Sequence, residues 1–525
     1  MGSITSIRSL RFTGRYNRNV AITAARANWV FLRVLGLVYV VAFWSLAAQV
    51  TGLIGANGIL PAHAYMDGAR AFVAAEHVGI DRYRLLPTLC WIDASDGFLR
   101  ALCFAGVVLG GLLAIGVLPS LALPLLWLDY LSLSAVAREF LSYQWDALLL
   151  EAGFLAIFVA PIVVRERWRA PVAPPRIGVW LMLWLLFRLI FGSGIVKLAS
   201  GDPTLRNLTA MTFHYETQPI PTPVAWYAHQ LPLWMHQAST AATLAIELVA
   251  PFFVVGPRGL RRTAFALLVG HQVLIAVTGN YAFFNLLAVA LCAYVLIDGD
   301  PSWKSYGGSV DAERVAPSGV ARVRNWLLVA AAIVIVPVSA TMFFARLGVA
   351  LPIYPLVAPL ADAIEPFRSV NTYGLFAVMT TTRPEIVVEG SNDGATWQPY
   401  EFAYKAGDVS RRPPWVAPHQ PRLDWQMWFA ALGDAGSAPW FQRFCRQLLA
   451  GSPDVVRLLA RNPFGDRPPR YLRAILYRYH FARPDEHRRG IWWTRERLGD
   501  YLPVMSGQTA AGTASGRESS ANGSR

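Results

Sequence analysis

The stretch LIFGSGIVKLASGDPTLRNLTAMTFHYETQP, residues 189–219, starts in an apolar run, carries Lys197 into that run and leaves through a long polar loop. A lysine at the centre of a membrane helix costs roughly 2.5–3.5 kcal/mol, so a chain that places one near a bilayer needs a reason to hold it there. Gly192 and Gly194 flank Ser193 and allow another helix backbone to come close. The stretch reads as the end of a transmembrane helix holding a charged, structured site at a membrane surface.

The rest of the chain agrees with that reading. Of its 525 residues, 54% are hydrophobic and only 15% charged, against about 45–50% and about 25% in a soluble globular chain. This is the composition of a polytopic α-helical membrane protein. Spans need about 17–25 apolar residues, and nine candidates occur: Trp29–Val50, Phe98–Leu118, Pro119–Ala137, Ala147–Val164, Ile177–Leu198, Ala238–Val255, Thr263–Thr278, Tyr281–Ile297 and Trp326–Phe344. The net charge of +14 does not point to nucleic acid, because the arginines lie between the apolar runs and in the C-terminal portion and form no binding face.

Charge in the connections sets the expected topology. Arg8, Arg11, Arg15, Arg18 and Arg26 precede the first span with no acid among them, which places residues 1–28 in the cytoplasm under the positive-inside rule. Alternation puts Arg165, Arg167, Arg169 and Arg176 on the same side, together with Arg258, Arg261 and Arg262. The loops Thr51–Gly97 and Ala199–Gln237 carry acids about as often as bases and fall outside. The first apolar run is too long for a cleaved leader and reads as a retained signal anchor.

A membrane domain over 29–347 is then followed by an extracytoplasmic domain over 348–505 and a Gly/Ser/Thr/Ala-rich tail, 506–525, expected to be disordered. In the C-terminal part, EIVV within Pro384–Gly390 and the turn Ser391–Gly394 (SNDG) predict a hairpin that returns through Trp397–Tyr404. Thr372–Thr382 alternates loosely, so Ile364–Asp408 reads as a small β-rich unit. A mixed helical part is expected after it, with helices at Trp425–Leu432, Ala438–Ala450 and Pro453–Ala460.

Chemistry-bearing motifs are sparse. No CxxC, Gly-x-Ser-x-Gly elbow or phosphate-binding glycine loop occurs. Cys90 and Cys445 both fall on the predicted outer side, where a bridge is chemically allowed, while Cys103 and Cys292 fall in spans and read as small apolar residues. His214, His229 and His236 share a loop but lack zinc-like spacing; neither a metal nor a cofactor is expected. The polar residues in or beside spans are more informative: Asp129, Arg138, Asp146, Glu151, Arg188, Lys197, Glu247, His271, Gln272 and Asn285. Such residues face the bundle interior and pair with one another, or else line a polar cavity where Lys197, Asp146 and Glu151 meet a ligand. Arg188 and Lys197 are nine residues apart, half a turn out of phase, and so do not form one anion clamp.

Several long blocks resemble the lipase maturation factor family: Tyr83–Asp96, Asp129–Phe158, Phe191–Pro232, VTGNYAFFNLL at Val277–Leu287, Arg383–Gly433 and RNPFGDRPPRYLRAILYRYHF at Arg461–Phe481. Leu205 departs from the family's GDPTW-type block, which bears on the packing of that loop. The resemblance implies a membrane-resident chaperone, in the endoplasmic reticulum of animals and the inner membrane of a bacterium. It would assist the folding and assembly of secreted homodimeric lipases with its extracytoplasmic region. Asn207 opens a glycosylation sequon on the outer loop, meaningful only in a eukaryotic host.

Residues suited to hold a client's exposed apolar surface are Trp415, Trp425 and Trp428, with Arg411, Arg412 and Arg422 beside them. Trp440, Trp492 and Trp493 join the set; the competing reading is that most of these tryptophans form the core of the C-terminal domain. The expected partners are secreted lipases and membrane lipids. A reading of a different class comes from GIVKL, Gly194–Leu198, which resembles vitamin K-dependent carboxylase-like membrane enzymes and would make Lys197 a general base beside Asp146 and Glu151.

Overall fold

The computed structural model describes residues 23–297 and 319–507. Arg8, Arg11, Arg15 and Arg18, and all of the 506–525 tail beyond Gly507, lie outside the described residues. Each of the nine apolar runs contains a helix: α1 (Ala24–Ala47), α2 (Asp96–Ile115), α3 (Pro119–Ala137), α4 (Gln144–Val159), α5 (Arg176–Ala199), α6 (Leu233–Phe253), α7 (Arg258–Thr278), α8 (Phe284–Cys292) and α9 (Gly319–Arg346). Six of them, α1, α2, α3, α5, α7 and α9, are long and apolar enough to cross a membrane.

The other three differ from that pattern for separate reasons. Helix α4 has 16 residues, about 24 Å at 1.5 Å per residue, short of the ~30 Å hydrocarbon thickness. It is mostly buried among other helices and so need not match the bilayer. Helix α8 has nine residues and continues only as a short 3₁₀ turn, Ala293–Leu296. Helix α6 is long enough but opens with the polar turns LWMHQAST and has Pro251 near its end.

Small residues set the closest helix contacts. A Cβ on Gly36 of α1 would lie 2.5 Å from the backbone nitrogen of Ala114 in α2, so only glycine permits that crossing. Gly194 of α5 does the same against α6: a Cβ there would meet the Cβ of Glu247 at 2.9 Å. Lys197, one turn further along, is thereby brought within reach of Glu247.

The C-terminal region is built on a four-stranded antiparallel sheet of β1 (Arg383–Ser391), β2 (Gln398–Pro399), β3 (Tyr471–Phe481) and β4 (Trp493–Ser506), in the order β2–β1–β3–β4. Strand β1 and the SNDG turn are where the sequence places them. The returning strand is not continuous: Pro399 supplies no N–H, and the chain changes partner there, so that Glu401–Phe402 pairs instead with Leu459–Arg461. Thr372–Thr382 forms no strand and is irregular up to the start of β1 at Arg383. The largest departure comes after Leu449. That part contributes short helix Pro453–Val456 and then the two longest strands of the sheet, not a helical unit. Helices α10 (Arg422–Ala431) and α11 (Pro439–Leu449) cover the sheet and bury Leu423, Trp425, Trp440, Phe441 and Phe444 in the core.

Candidate functional site

Two sets of buried charges organise the space where the helices meet the C-terminal region. The first radiates from α4. Asp146 accepts from both terminal guanidinium nitrogens of Arg422, at 2.9 and 3.0 Å, and from the Tyr130 hydroxyl at 2.5 Å. Glu151 pairs with Arg188 of α5, and its other oxygen accepts from the Tyr373 hydroxyl at 2.7 Å and the Asn371 amide N–H at 2.9 Å. Arg188 in turn donates to the Asn371 carbonyl at 2.9 Å. Both carboxylates of α4 thus bind residues more than 200 positions later in the chain. Breaking such a buried pair on one side costs about 3–5 kcal/mol, because the remaining charge stays in a low-dielectric interior.

The second set faces a cavity. Lys197 Nζ lies 2.7 and 2.9 Å from the two oxygens of Glu247 and 3.3 Å from the Ser193 carbonyl, which occupies all three ammonium protons. His271 Nε2 approaches a Glu247 oxygen at 3.5 Å without completing a hydrogen bond. Gln272 accepts from Asn285 at 2.9 Å. Lys197, Glu247, His271 and Gln272 border a small cavity of about 80 Å³ between α5, α6 and α7, walled by Leu189, Ile190, Leu244, Ile275 and Phe284 and capped by Leu375, Phe376 and Met379 of the C-terminal region. Leu205, where the family block would carry tryptophan, is buried against Ala210 and Met379 and fills this edge as an ordinary apolar residue.

The grouping of Lys197 with Asp146 and Glu151 is therefore corrected. Each of the three has a different partner, Glu247, Arg422 and Arg188 respectively. Arg188 and Lys197 also serve separate pairs, in keeping with their helical phase. Asp129 departs from expectation in another way: it is buried, and neither carboxyl oxygen has a hydrogen-bond partner. Cys90, Cys103, Cys292 and Cys445 are all buried free thiols, so Cys90 and Cys445 are not bridged. Among the described residues no group of His, Cys, Asp and Glu is arranged to hold a metal ion.

The two halves that these charges join are also the two halves that match known proteins. Residues 26–303 match the model of the lipase maturation factor transmembrane domain, and residues 369–503 that of the lipase maturation factor C-terminal domain. The chain belongs to the lipase maturation factor family. It is 38% identical to lipase maturation factor 2 of Homo sapiens, over 91% of this chain and 82% of the relative. To lipase maturation factor 2 of Gallus gallus it is 37% identical, over 92% and 81%. To lipase maturation factor 1 of Bos taurus it is 34% identical, over 96% and 93%. No solved structure matches the chain.

In this lipase maturation factor family member, the residues proposed from sequence as a contact surface separate into two groups. Arg422, Trp425 and Trp428 are buried. Arg422 is the partner of Asp146, Trp425 stacks edge-on against Trp145 at 4.6 Å, and Trp428 donates to the Thr217 carbonyl at 2.9 Å. These three fasten the C-terminal region to the bundle and are not a free surface. Trp440 and Trp493 are likewise core residues. Arg411 is half-buried and donates to the carbonyls of Phe402 and Lys405. Arg412 and Trp415 are exposed.

Sequence reasoning missed several residues that join the halves. Asn280 receives the N–H groups of Val416 and Ala417 and donates to the Pro414 carbonyl, which ties residues 414–417 to the loop before α8. Its place in the VTGNY block was the only available signal. Arg383 is fully buried at the start of β1 and donates to the carbonyls of Glu216, Gln218 and Pro219, at the end of the 189–219 stretch. Glu216 accepts from the Phe481 N–H at 2.8 Å and contacts His480 at 3.1 Å. Burial opposes ionisation of Glu216, but the His480 and Phe481 hydrogen bonds outweigh it and hold the carboxyl below the usual carboxylate range. The same hydrogen bond to Glu216 raises the His480 imidazole above its ordinary value.

Proposed function

We propose that this family member is a membrane-resident maturation factor, a chaperone that assists the folding and assembly of secreted lipases. The observation that carries the reading is the match of both regions, helical bundle and sheet domain, to a family whose members are named for lipase maturation. Two further features support it. The buried charges proposed as catalytic are committed to structural partners. A cleft of about 550 Å³ beside Tyr143, Phe429 and Leu432 presents apolar and aromatic surface, of which Phe429, Leu432 and Val378 are exposed. A folding intermediate with an uncovered dimer interface offers complementary apolar surface, and aromatic and arginine side chains dominate such contacts.

On this reading residues 29–347 form the membrane domain, and residues 348–505 meet the client through Arg412, Trp415 and the rim of the cleft. The N-terminus is cytoplasmic and the C-terminal domain extracytoplasmic, in the lumen of the endoplasmic reticulum in an animal host or the periplasm in a bacterium. The test is the specific activity of lipases secreted by the native host with this chain deleted and then restored, normalised to secreted lipase mass. A large loss is expected, recovered by the wild type but poorly by an Arg412→Glu/Trp415→Ala variant that accumulates normally. Unchanged specific activity of every secreted lipase would overturn the proposal.

A further inference from the structure

The connection between α1 and α2 carries a helix of its own, Ala62–Ala75, and a single helical turn, Arg82–Leu85. It packs on the end of α3, where Thr88 donates to the Ser132 carbonyl at 3.0 Å and the Arg138 guanidinium lies 5.5 Å from the Tyr65 ring. A pocket of about 530 Å³ opens between this connection, Arg138 and Arg443 of α11. That size is within the roughly 300–1,000 Å³ of small-molecule sites. We propose that the pocket binds one anionic phospholipid of the surrounding membrane, its phosphate on Arg82, Arg138 and Arg443 and an acyl chain along the apolar wall.

The lining divides by chemistry. Pro61, Phe72, Leu85, Leu86 and Trp91 supply the apolar wall, the three arginines supply charge, and no Asp or Glu lines the pocket. The arginines are poorly neutralised. Arg82 donates to the Tyr83 hydroxyl at 2.7 Å and lies over the Trp91 ring at 5.6 Å, and neither contact cancels its charge. Arg138 meets Glu139 at 3.2 Å, but the two side chains are 40% and 36% exposed, so solvent screens the pair. Arg443 is exposed and makes no ion pair or hydrogen bond among the described residues. Three like charges around one pocket favour an anion, and the planar guanidinium fork matches phosphate oxygens two at a time. Position selects a lipid over a soluble anion. Helix α2 begins just after Trp91 and α3 ends just before Arg138. Both are long and apolar enough to cross a membrane and follow one another through a short turn, so these two ends share one membrane face. Phe72, Ile80, Leu85 and Ile92 are exposed on the same connection. Apolar residues interleaved with arginines are the composition of a segment lying in the headgroup layer. The inference stands independently of the lipase reading.

The test uses the full-length protein in phosphatidylcholine nanodiscs doped with a diazirine-bearing phosphatidylglycerol, irradiated and analysed by peptide mass spectrometry. Labelling is expected on peptides from residues 60–91. Unlabelled phosphatidylglycerol should compete at least about tenfold better than added phosphatidylcholine, equivalent to about 1.4 kcal/mol. Arg443→Glu, a reversal at an exposed position without a partner, should reduce labelling about tenfold with elution and thermal midpoint unchanged. Arg82→Gln/Arg443→Gln should do the same, and it gives the reading should the first variant fail to fold. Labelling spread evenly over the lipid-facing helices, or undiminished in a folded variant, overturns the site. Phosphatidylcholine competing equally overturns the anionic head. Oleate competing equally overturns the phosphate, and glycerol 3-phosphate competing equally overturns the lipid.

Discussion

The α4 charges and the Lys197 cluster are both sets of ionised groups inside a helical bundle, yet they are enclosed differently. Asp146 and Arg422 are 0% exposed and surrounded by donors and acceptors from three parts of the chain. Lys197 and Glu247 are each 8% exposed and border a cavity. The first arrangement is a fastening, since removing either partner leaves a charge with nowhere to go. The second leaves one side open, so water or a ligand can take up part of the deficit. Buried ion pairs of similar geometry thus divide into structural and accessible ones by what lies beyond the pair.

The comparison can be broken most severely at Arg422. Arg422→Leu strands Asp146 and should cost about 3–5 kcal/mol, read as loss of the monodisperse peak and a lowered thermal midpoint in detergent. The double variant Arg422→Leu/Asp146→Leu should recover much of that loss, because the unpaired charge is gone. Failure of the double variant to recover would show that the pair does more than neutralise itself. At the cavity, Glu247→Leu should be milder, about 1–3 kcal/mol, since Lys197 keeps access to solvent and to the Ser193 carbonyl. A cost equal to that of Arg422→Leu would remove the distinction drawn between the two sets.

Asp129 sharpens the contrast from the other direction. Its carboxyl is buried and makes no hydrogen bond, so Asp129→Leu is expected to stabilise the protein by about 1–2 kcal/mol. Thermal melting in detergent checks the sign. The smallest effect is at Glu216 and His480, between the short helix Ala210–Thr217 and β3. His480 has a raised pKa, so its contribution is present below the ordinary histidine value of about 6.5 and is lost as pH rises through its folded pKa. Glu216 has a lowered pKa, so its contribution is present above the ordinary value of about 4.5 and is lost as pH falls through its folded pKa. The contact is strongest between these limits, near pH 5–6. With the His480 side chain 52% exposed, solvent screening keeps the effect below about 1 kcal/mol. Protease protection of the β3–β4 connection should therefore be highest in that window, and His480→Gln should flatten its alkaline side.

The helical runs were readable because a membrane solvent imposes long apolar stretches that no other context requires. The exceptions are instructive: α4 is too short to span by itself, and its burial inside the bundle removes that requirement. Strand β3 carried a readable signal in YLRAILYRYHF, whose β-branched and aromatic residues alternate, but the proline- and arginine-rich approach to it obscured its length. Trp425 and Trp428 were ambiguous by nature, because the same side chains suit a domain core and a contact surface. Only the docking of α10 against Tyr143 and Trp145 decided between them.

By itself the sequence determined the membrane class, the helical runs, the family and the fact that Lys197 needed a partner. These follow from composition and local spacing, which act over a few turns of chain. The tertiary structure decided who the partners are: Glu247 for Lys197, Arg422 for Asp146, and Arg188 with Asn371 and Tyr373 for Glu151. Asp146 and Arg422 are 276 residues apart, and no local rule links them. Burial in a medium of low dielectric makes an unpaired charge costly, so the fold must bring some opposite charge to each site, and packing selects which one.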